Sequence, residues 1–211
     1  MTGPDLHLTR VRINPRNSTA RSDLRSAISL HRTVMSMFPD VPDSAARSAL
    51  GVLHRLDATG SGPVLLLQSV AVPNIEALPD GYGDTRVTSL GALLVRLRSG
   101  TPVRYRIVVN ATKKVGSGEQ AGKRIALGAG PTKLWWVRRA DAAGLDLAEE
   151  PILVSTSITG SDDIDGRVTL RPWQVDGVAE VRDPALLTAA IREGIGRGKA
   201  YGCGLLTLAL L

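Results

Sequence analysis

Gly194-Ile195-Gly196-Arg197-Gly198-Lys199-Ala200-Tyr201-Gly202-Cys203-Gly204 places five glycines in eleven residues. That density excludes a helix or strand interior, because each glycine loosens the backbone and fills no core volume. Pro184 to Glu193 reads as a helix before the stretch, capped by Asp183, and Leu205 to Leu211 as an apolar strand after it. The stretch is therefore a glycine-rich turn from helix to strand, made basic by Arg197 and Lys199. Main-chain N–H groups in such a turn can approach an anion, and the two cations add charge, so the first functional reading is phosphate binding. A plain connection is the competing reading, but it needs only a glycine or two. Neither familiar nucleotide loop fits. The Walker pattern fails because position 193 is glutamate and Lys199 is followed by Ala200. A dinucleotide fingerprint opens a helix after a strand, the reverse of the order here.

Working outward, the pattern of elements repeats. In the first half, Leu6–Ile13 reads as a strand, followed by a helix from Asp23 or Ser26 to Phe38 that Pro39 stops. Strands at Val52–Asp57 and Val64–Ser69, a helical turn near Asn74–Leu78 and a strand at Val87–Leu97 complete it. The second half begins with a strand at Val103–Asn110, with Arg104 and Arg106 on one face, and a basic excursion or hairpin arm over residues 111–128. A helix over Pro131–Ala143, a strand at Ile152–Ile158 and a strand hairpin over Arg167–Val181, turning at Asp176-Gly177, precede the final helix, turn and strand. Two successive β-α-β-β-α-β units give an α+β protein with two tandem ferredoxin-like, RNA-recognition-like domains, at residues 1–97 and 98–211. Such a sheet leaves one face free of helices, the face on which RNA-recognition folds hold single strands. Aromatic residues are only 3% of the chain, too few for a stacking platform, so arginine should dominate the recognition.

The composition agrees. The chain has 211 residues, 43% of them hydrophobic, enough for a packed core. Its net charge is +6, and 21 of the 26 basic residues are arginine, whose planar fork suits phosphate. One cysteine excludes a disulfide framework, and no apolar run is long enough to span a bilayer. No signal peptide is visible, so a cytoplasmic setting with no membrane partner is expected.

Few residues offer chemistry. His7 and His54 read as structural, each in a strand. His31 sits on the first helix, on the side of Leu24, Ile28 and Met35, and both a core histidine and an interfacial catalytic one fit that place. In the arm, the basic pairs Lys113-Lys114 and Lys123-Arg124 flank a Gly/Ser tip, which suits either a solvated hairpin or an arm along a nucleic-acid backbone. Ser161-Asp162-Asp163-Ile164-Asp165-Gly166 starts like a calcium loop, but Pro172 occupies the twelfth position where a glutamate is needed. No zinc-ligand spacing is present, and neither a metal nor another cofactor is expected.

The glycine turn, Leu30-His31-Arg32-Thr33 in the first helix, Arg104–Asn110 before the basic arm and the closing Gly194–Leu211 together resemble the repeat-associated RNA-binding superfamily. Within it they resemble the CRISPR-associated endoribonucleases of the CasE type, from type I-E systems. The resemblance implies an enzyme that binds the stem-loop of a CRISPR repeat and cuts precursor CRISPR RNA at the 3′ base of the hairpin. Cleavage by the ribose 2′-OH, without metal, leaves a 2′,3′-cyclic phosphate and a 5′-hydroxyl. The product stays bound and the protein joins the other subunits of Cascade. The resemblance places the family's catalytic histidine at His31. It places RNA contacts at Arg32, Lys113, Lys114, Lys123, Arg124, Arg197 and Lys199 and at Gly196, Gly198 and Gly202. Some family members carry a tyrosine and a lysine where this chain has Ile28 and Ser36, so His31 would act with fewer partners, or with Arg32, Tyr201 or Lys199 supplying charge. A non-catalytic RNA-hairpin-binding subunit is the rival reading, and a ribosome- or tRNA-associated module a more distant one.

Overall fold

The computed structural model describes residues 5–39, 50–119, 121–156 and 170–211. Its first half runs β1 (His7–Ile13), α1 (Ser18–Asp23), α2 (Ala27–Ser36), β2 (Leu53–Thr59), β3 (Gly62–Ser69), a 3-10 turn at Ile75–Ala77 and β4 (Gly83–Ser89). Alternation specifies β1: Thr9, Val11 and Ile13 are buried and alternate with Arg10 and Arg12. The strands pair antiparallel in the order β2-β3-β1-β4. Leu30 and Val34 of α2 join Val11, Ile13, Leu65, Leu67 and Tyr82 in a core on one face of that sheet.

The second half runs α3 (Gly91–Arg96), β5 (Pro102–Val109), β6 (Thr112–Lys114), β7 (Arg124–Ala126), α4 (Ala129–Ala142), β8 (Leu145–Leu147), β9 (Ile152–Ser155), β10 (Trp173–Val181), α5 (Pro184–Glu193), a 3-10 turn at Lys199–Tyr201 and β11 (Thr207–Leu210). Its sheet has the order β11-β5-β10-β8, with β9 also paired to β10. In both sheets the fourth strand of the unit lies beside the first, then come the third and the second. That shared order is the ferredoxin-like arrangement, and the fold is α+β as the sequence indicates.

Several boundaries differ from expectation. Asp176-Gly177 is not a turn, because β10 runs through it with Asp176 opposite Arg106 and Gly177 opposite Tyr105. Glycine is needed there for packing: a Cβ would stand 2.5 Å from the Tyr105 hydroxyl oxygen. The expected first helix is α2, and a short helix that was not expected, α1, precedes it. Asn17 caps α1, and Ser26, which with Ser22 and Asp23 is a plausible cap from the sequence, accepts from the Ser29 N–H at 3.2 Å to start α2. Asp23 caps neither helix; it is buried at the corner and accepts from the Tyr82 hydroxyl at 2.8 Å and the Ser29 hydroxyl at 2.5 Å. Val87–Leu97 is not one strand: β4 ends at Ser89, and Leu93 and Leu94 of α3 pack on the second core. Strand β8 was not anticipated, being only three residues long. The Ser161–Gly166 run, the end of the Ile152–Ile158 strand and the start of the Arg167–Val181 segment lie outside the described residues.

Strand β2 ties the halves together. Arg55, 2% exposed, donates from Nε and Nη2 to both Asp57 carboxylate oxygens at 2.6 and 2.9 Å. Its Nη1 donates to the Arg106 carbonyl of β5 at 3.0 Å and to the Leu205 carbonyl before β11 at 3.1 Å. Gln68 of β3 adds a buried bond from Nε2 to the Ile191 carbonyl of α5 at 2.7 Å. A buried charge is tolerated only when paired and fully hydrogen-bonded, and Arg55 meets that condition across the two sheets. Arg55→Ala leaves the buried Asp57 without its cation and removes the hydrogen bonds to the Leu205 and Arg106 carbonyls, the latter keeping the Thr207 hydroxyl at 3.2 Å. It should lower unfolding stability by about 3–5 kcal/mol, read as a fall in the urea midpoint.

Candidate functional site

Helix α2 carries the candidate histidine. Ala27, Leu30 and Val34 form its buried stripe. His31 borders that stripe and is half-buried, whereas Arg32 points to solvent. Ile28 and Met35 are also half-buried, so the stripe is centred one residue away from the expected face. The His31 ring stacks on that of His54, with centroids 6.3 Å apart and planes 27° from parallel. Both α2 and β2 pack against the Lys199–Tyr201 turn, so the helix bearing the imidazole meets the glycine-rich stretch.

All five glycines of that stretch have φ between +73° and +89°. Two show why glycine is required. At Gly194 a Cβ would lie 2.8 Å from a Leu53 methyl and 3.0 Å from the Gly204 carbonyl oxygen; at Gly204 it would lie 3.0 Å from the Ile195 carbonyl oxygen. Much of the backbone holds the turn itself together. The N–H groups of Ile195, Tyr201, Cys203 and Gly204 donate to Gly204, Gly198, Gly198 and Val108 carbonyls. Lys199, half-buried, donates from Nζ to the Glu193 carbonyl at 2.6 Å and so closes the end of α5. Arg197 is exposed, and its backbone bridges to Asn110 at the end of β5. Cys203 is fully buried, and loss of solvation pushes its thiol up to about 12, which leaves no thiolate nucleophile near neutrality.

The bridge to Asn110 joins the turn to the arm. From Ala111 the chain enters β6, crosses to β7 and returns at Leu127, whose N–H donates to the Ala111 carbonyl. Lys113, Lys114, Lys123 and Arg124 are all exposed on this hairpin. Lys114 and Arg124 stand directly opposite each other. Like charges in cross-strand register destabilise a free hairpin, so the arm is suited to an anionic partner. The root of the arm, Arg197, the Lys199–Tyr201 turn and α2 thus follow one another along the structure.

Arg106 departs from expectation. It does share the helix-free face with Arg104, but Nε and Nη2 donate to the Asp176 carboxylate at 2.6 and 3.1 Å, which raises the Arg106 pKa and sets a negative charge against the guanidinium. A recess of about 450 Å³ lies over this face, with the Arg55–Asp57 pair on its wall. What His54 and Trp135 pack against was not visible in the sequence, although His54 is buried as a structural residue would be. Trp135 packs on the turn, 3.1 Å from where a Gly196 Cβ would stand, and carries the Arg139 guanidinium 5.5 Å above its ring. The period-2 pattern of β2 held the signal for His54, since it faces away from its neighbours Leu53 and Arg55. Among the described residues no group of three or more His, Cys, Asp or Glu is arranged to hold a metal ion. No helix there is long and apolar enough to cross a membrane.

Matching strand orders in the two sheets place the chain in the class of paired ferredoxin-like proteins. A family model described as CRISPR associated protein matches residues 6–209. The chain belongs to that family, on its CasE-type endoribonuclease branch. CRISPR-associated endoribonuclease Cse3 of Thermus thermophilus is 32% identical over 96% of this chain and 99% of its own length. The CRISPR system Cascade subunit CasE of Escherichia coli is 27% identical over 91% and 96% respectively. A solved structure of Thermus thermophilus Cse3 bound to an RNA representing a pre-cleavage complex matches with a TM-score of 0.82 at 28% identity, covering 97% of this chain and 99% of that one.

Burial of Cys203 has a measurable consequence. Its folded pKa lies above its ordinary value of 9.0, so the folded state keeps the proton that the unfolded state loses, and the thiol's contribution to stability is present below pH 9.0 and is lost as pH rises towards about 12. A thiol reagent at pH 8 should leave the native protein unmodified and react with one group per chain only in denaturant.

Proposed function

We propose that the chain binds the stem-loop of a CRISPR repeat and cuts precursor CRISPR RNA at the 3′ base of the hairpin, with His31 moving the proton. The ribose 2′-oxygen attacks the adjacent phosphorus. The P–O2′ bond forms as the P–O5′ bond breaks, giving a 2′,3′-cyclic phosphate and, once the leaving oxygen is protonated, a 5′-hydroxyl. The observation that carries this reading is the packing of α2 on the Lys199–Tyr201 turn, next to the arm's root at Arg197 and Asn110. Histidine is the residue type suited to proton transfer near neutrality, and such transfer contributes about 10²–10⁴ in rate. Arg32 and Arg197 offer exposed charge for the developing phosphorane, and Lys199 and Tyr201 line the bend. The names of the relatives support the rest: one is an endoribonuclease, the other a Cascade subunit. The product therefore stays bound and the chain serves as a Cascade subunit, in the cytoplasm. In this reading residues 1–97 carry the imidazole and residues 98–211 carry the arm and the glycine turn, with Gly196, Gly198 and Gly202 shaping it around the RNA.

One observation favours a non-catalytic hairpin-binding subunit. Where the resemblance leads one to expect a tyrosine and a lysine, Ile28 is half-buried and Ser36 donates its hydroxyl to the Thr33 carbonyl at 2.9 Å. Labelled repeat RNA in excess chelator separates the two readings. Wild type should yield the shortened, cyclic-phosphate product, and His31→Ala should cut about 10²–10⁴-fold more slowly while binding the 2′-deoxy repeat as tightly as wild type. No product from wild type would favour the binding subunit. Replacing Lys113, Lys114, Lys123 and Arg124 with alanine should weaken binding and flatten its dependence on log salt, by about 0.7–0.9 for each phosphate no longer neutralised.

A further inference from the structure

We propose that His54 is a positioning residue for cleavage: its ring is the wedge that sets the His31 imidazole against the glycine-rich turn. This rests on the assignment of His31 made above. Successive side chains of a strand point to opposite faces, and β2 uses both. Leu53 and Arg55 serve the second half, through the methyls facing Gly194 and through the carbonyls of Arg106 and Leu205. His54, between them, pairs with Leu67 on the face where α2 lies and is only 1% exposed.

There its ring has two neighbours that matter. One flank stacks on His31, at a 6.3 Å centroid separation typical of offset rings. Its Cδ2–Nε2 edge is the nearest group to Gly202, 3.8 Å from where a Cβ would stand, which is ordinary van der Waals contact. Gly202, at φ +86°, closes the Lys199–Tyr201 turn. One buried imidazole thus touches both the helix that bears the reacting group and the bend that carries the cations. Arg55, the next residue, fastens that stretch of β2 to the second half. A flat ring defines a plane for its neighbour to stack on, which an aliphatic side chain of similar volume does not. A displacement of about 1 Å between reacting groups costs on the order of 10²-fold in rate.

Single-turnover cleavage with enzyme in excess, beside binding of the uncleavable 2′-deoxy repeat RNA, tests the wedge. His54→Ala should cut about 10- to 100-fold more slowly with its affinity for the 2′-deoxy RNA unchanged. His54→Phe, which keeps a flat ring, should recover most of the rate, and His54→Leu should not. Should the alanine variant fail to fold, the Phe and Leu variants decide alone. Equal rates for Phe and Leu, a wild-type rate for Ala, or a parallel loss of binding and cleavage would each overturn the role of His54. His31→Ala run alongside separates the two assignments. If it cuts like wild type, the reading of His31 fails; if it is inactive while the His54 variants are unaffected, only the wedge fails.

Discussion

The guanidinium of Arg55 is the contact on which the arrangement of the molecule depends. It belongs to the first sheet, yet two of its hydrogen bonds end on carbonyls of the second half, and its charge is matched by the buried carboxylate of Asp57. Moving the sheets apart would leave the Arg55–Asp57 pair together on β2 but break the two hydrogen bonds that Arg55 gives to carbonyls of the second half. The same strand turns His54 towards α2, so the residue that locks the sheets adjoins the one that meets the candidate catalytic helix.

From that lock the functional surface follows. The glycine-rich turn is held by its own N–H groups and by Lys199 at the end of α5, so it is a shaped support more than an open cradle of donors. In the proposed function, charge for an RNA backbone comes instead from Arg197 and from the hairpin that springs beside it, where Lys114 and Arg124 are set against each other. An arm with that much unrelieved repulsion gains most by laying its cations along phosphates. In the proposed function, the half with the arm holds the RNA and the half with α2 supplies the imidazole.

Much of this was legible in the chain. The Asp183 cap, Pro184 start and glycine end of α5 are local chemistry, and the structure has them where the residues put them. Alternation marked β1 and β5, and the repeated element order pointed to both sheets before any coordinate. What escaped has tertiary causes. Asp176-Gly177 has the composition of a hairpin turn, but the glycine is there because Tyr105 occupies the space of its side chain. Asp23 has the composition of a cap but is held by Tyr82, 59 residues away in the chain. Arg106 looked like a free cation until Asp176 was seen beside it. His54 was read as structural because a lone histidine in a strand carries no signal of what stacks on it. The glycine turn and His31 were each visible, but their meeting depends on β2, which local pattern does not position.

The most direct measurement is a structure of this chain with a 2′-deoxy repeat hairpin, which binds but cannot be cut. The account predicts the scissile phosphate at the junction of α2 and the Lys199–Tyr201 turn, with the His31 imidazole within about 2.6–3.2 Å of the reacting oxygens or one water away, and the arm lying in the hairpin groove. A phosphate seated instead in the recess beside Arg104 and Asp176, out of reach of His31, would contradict it.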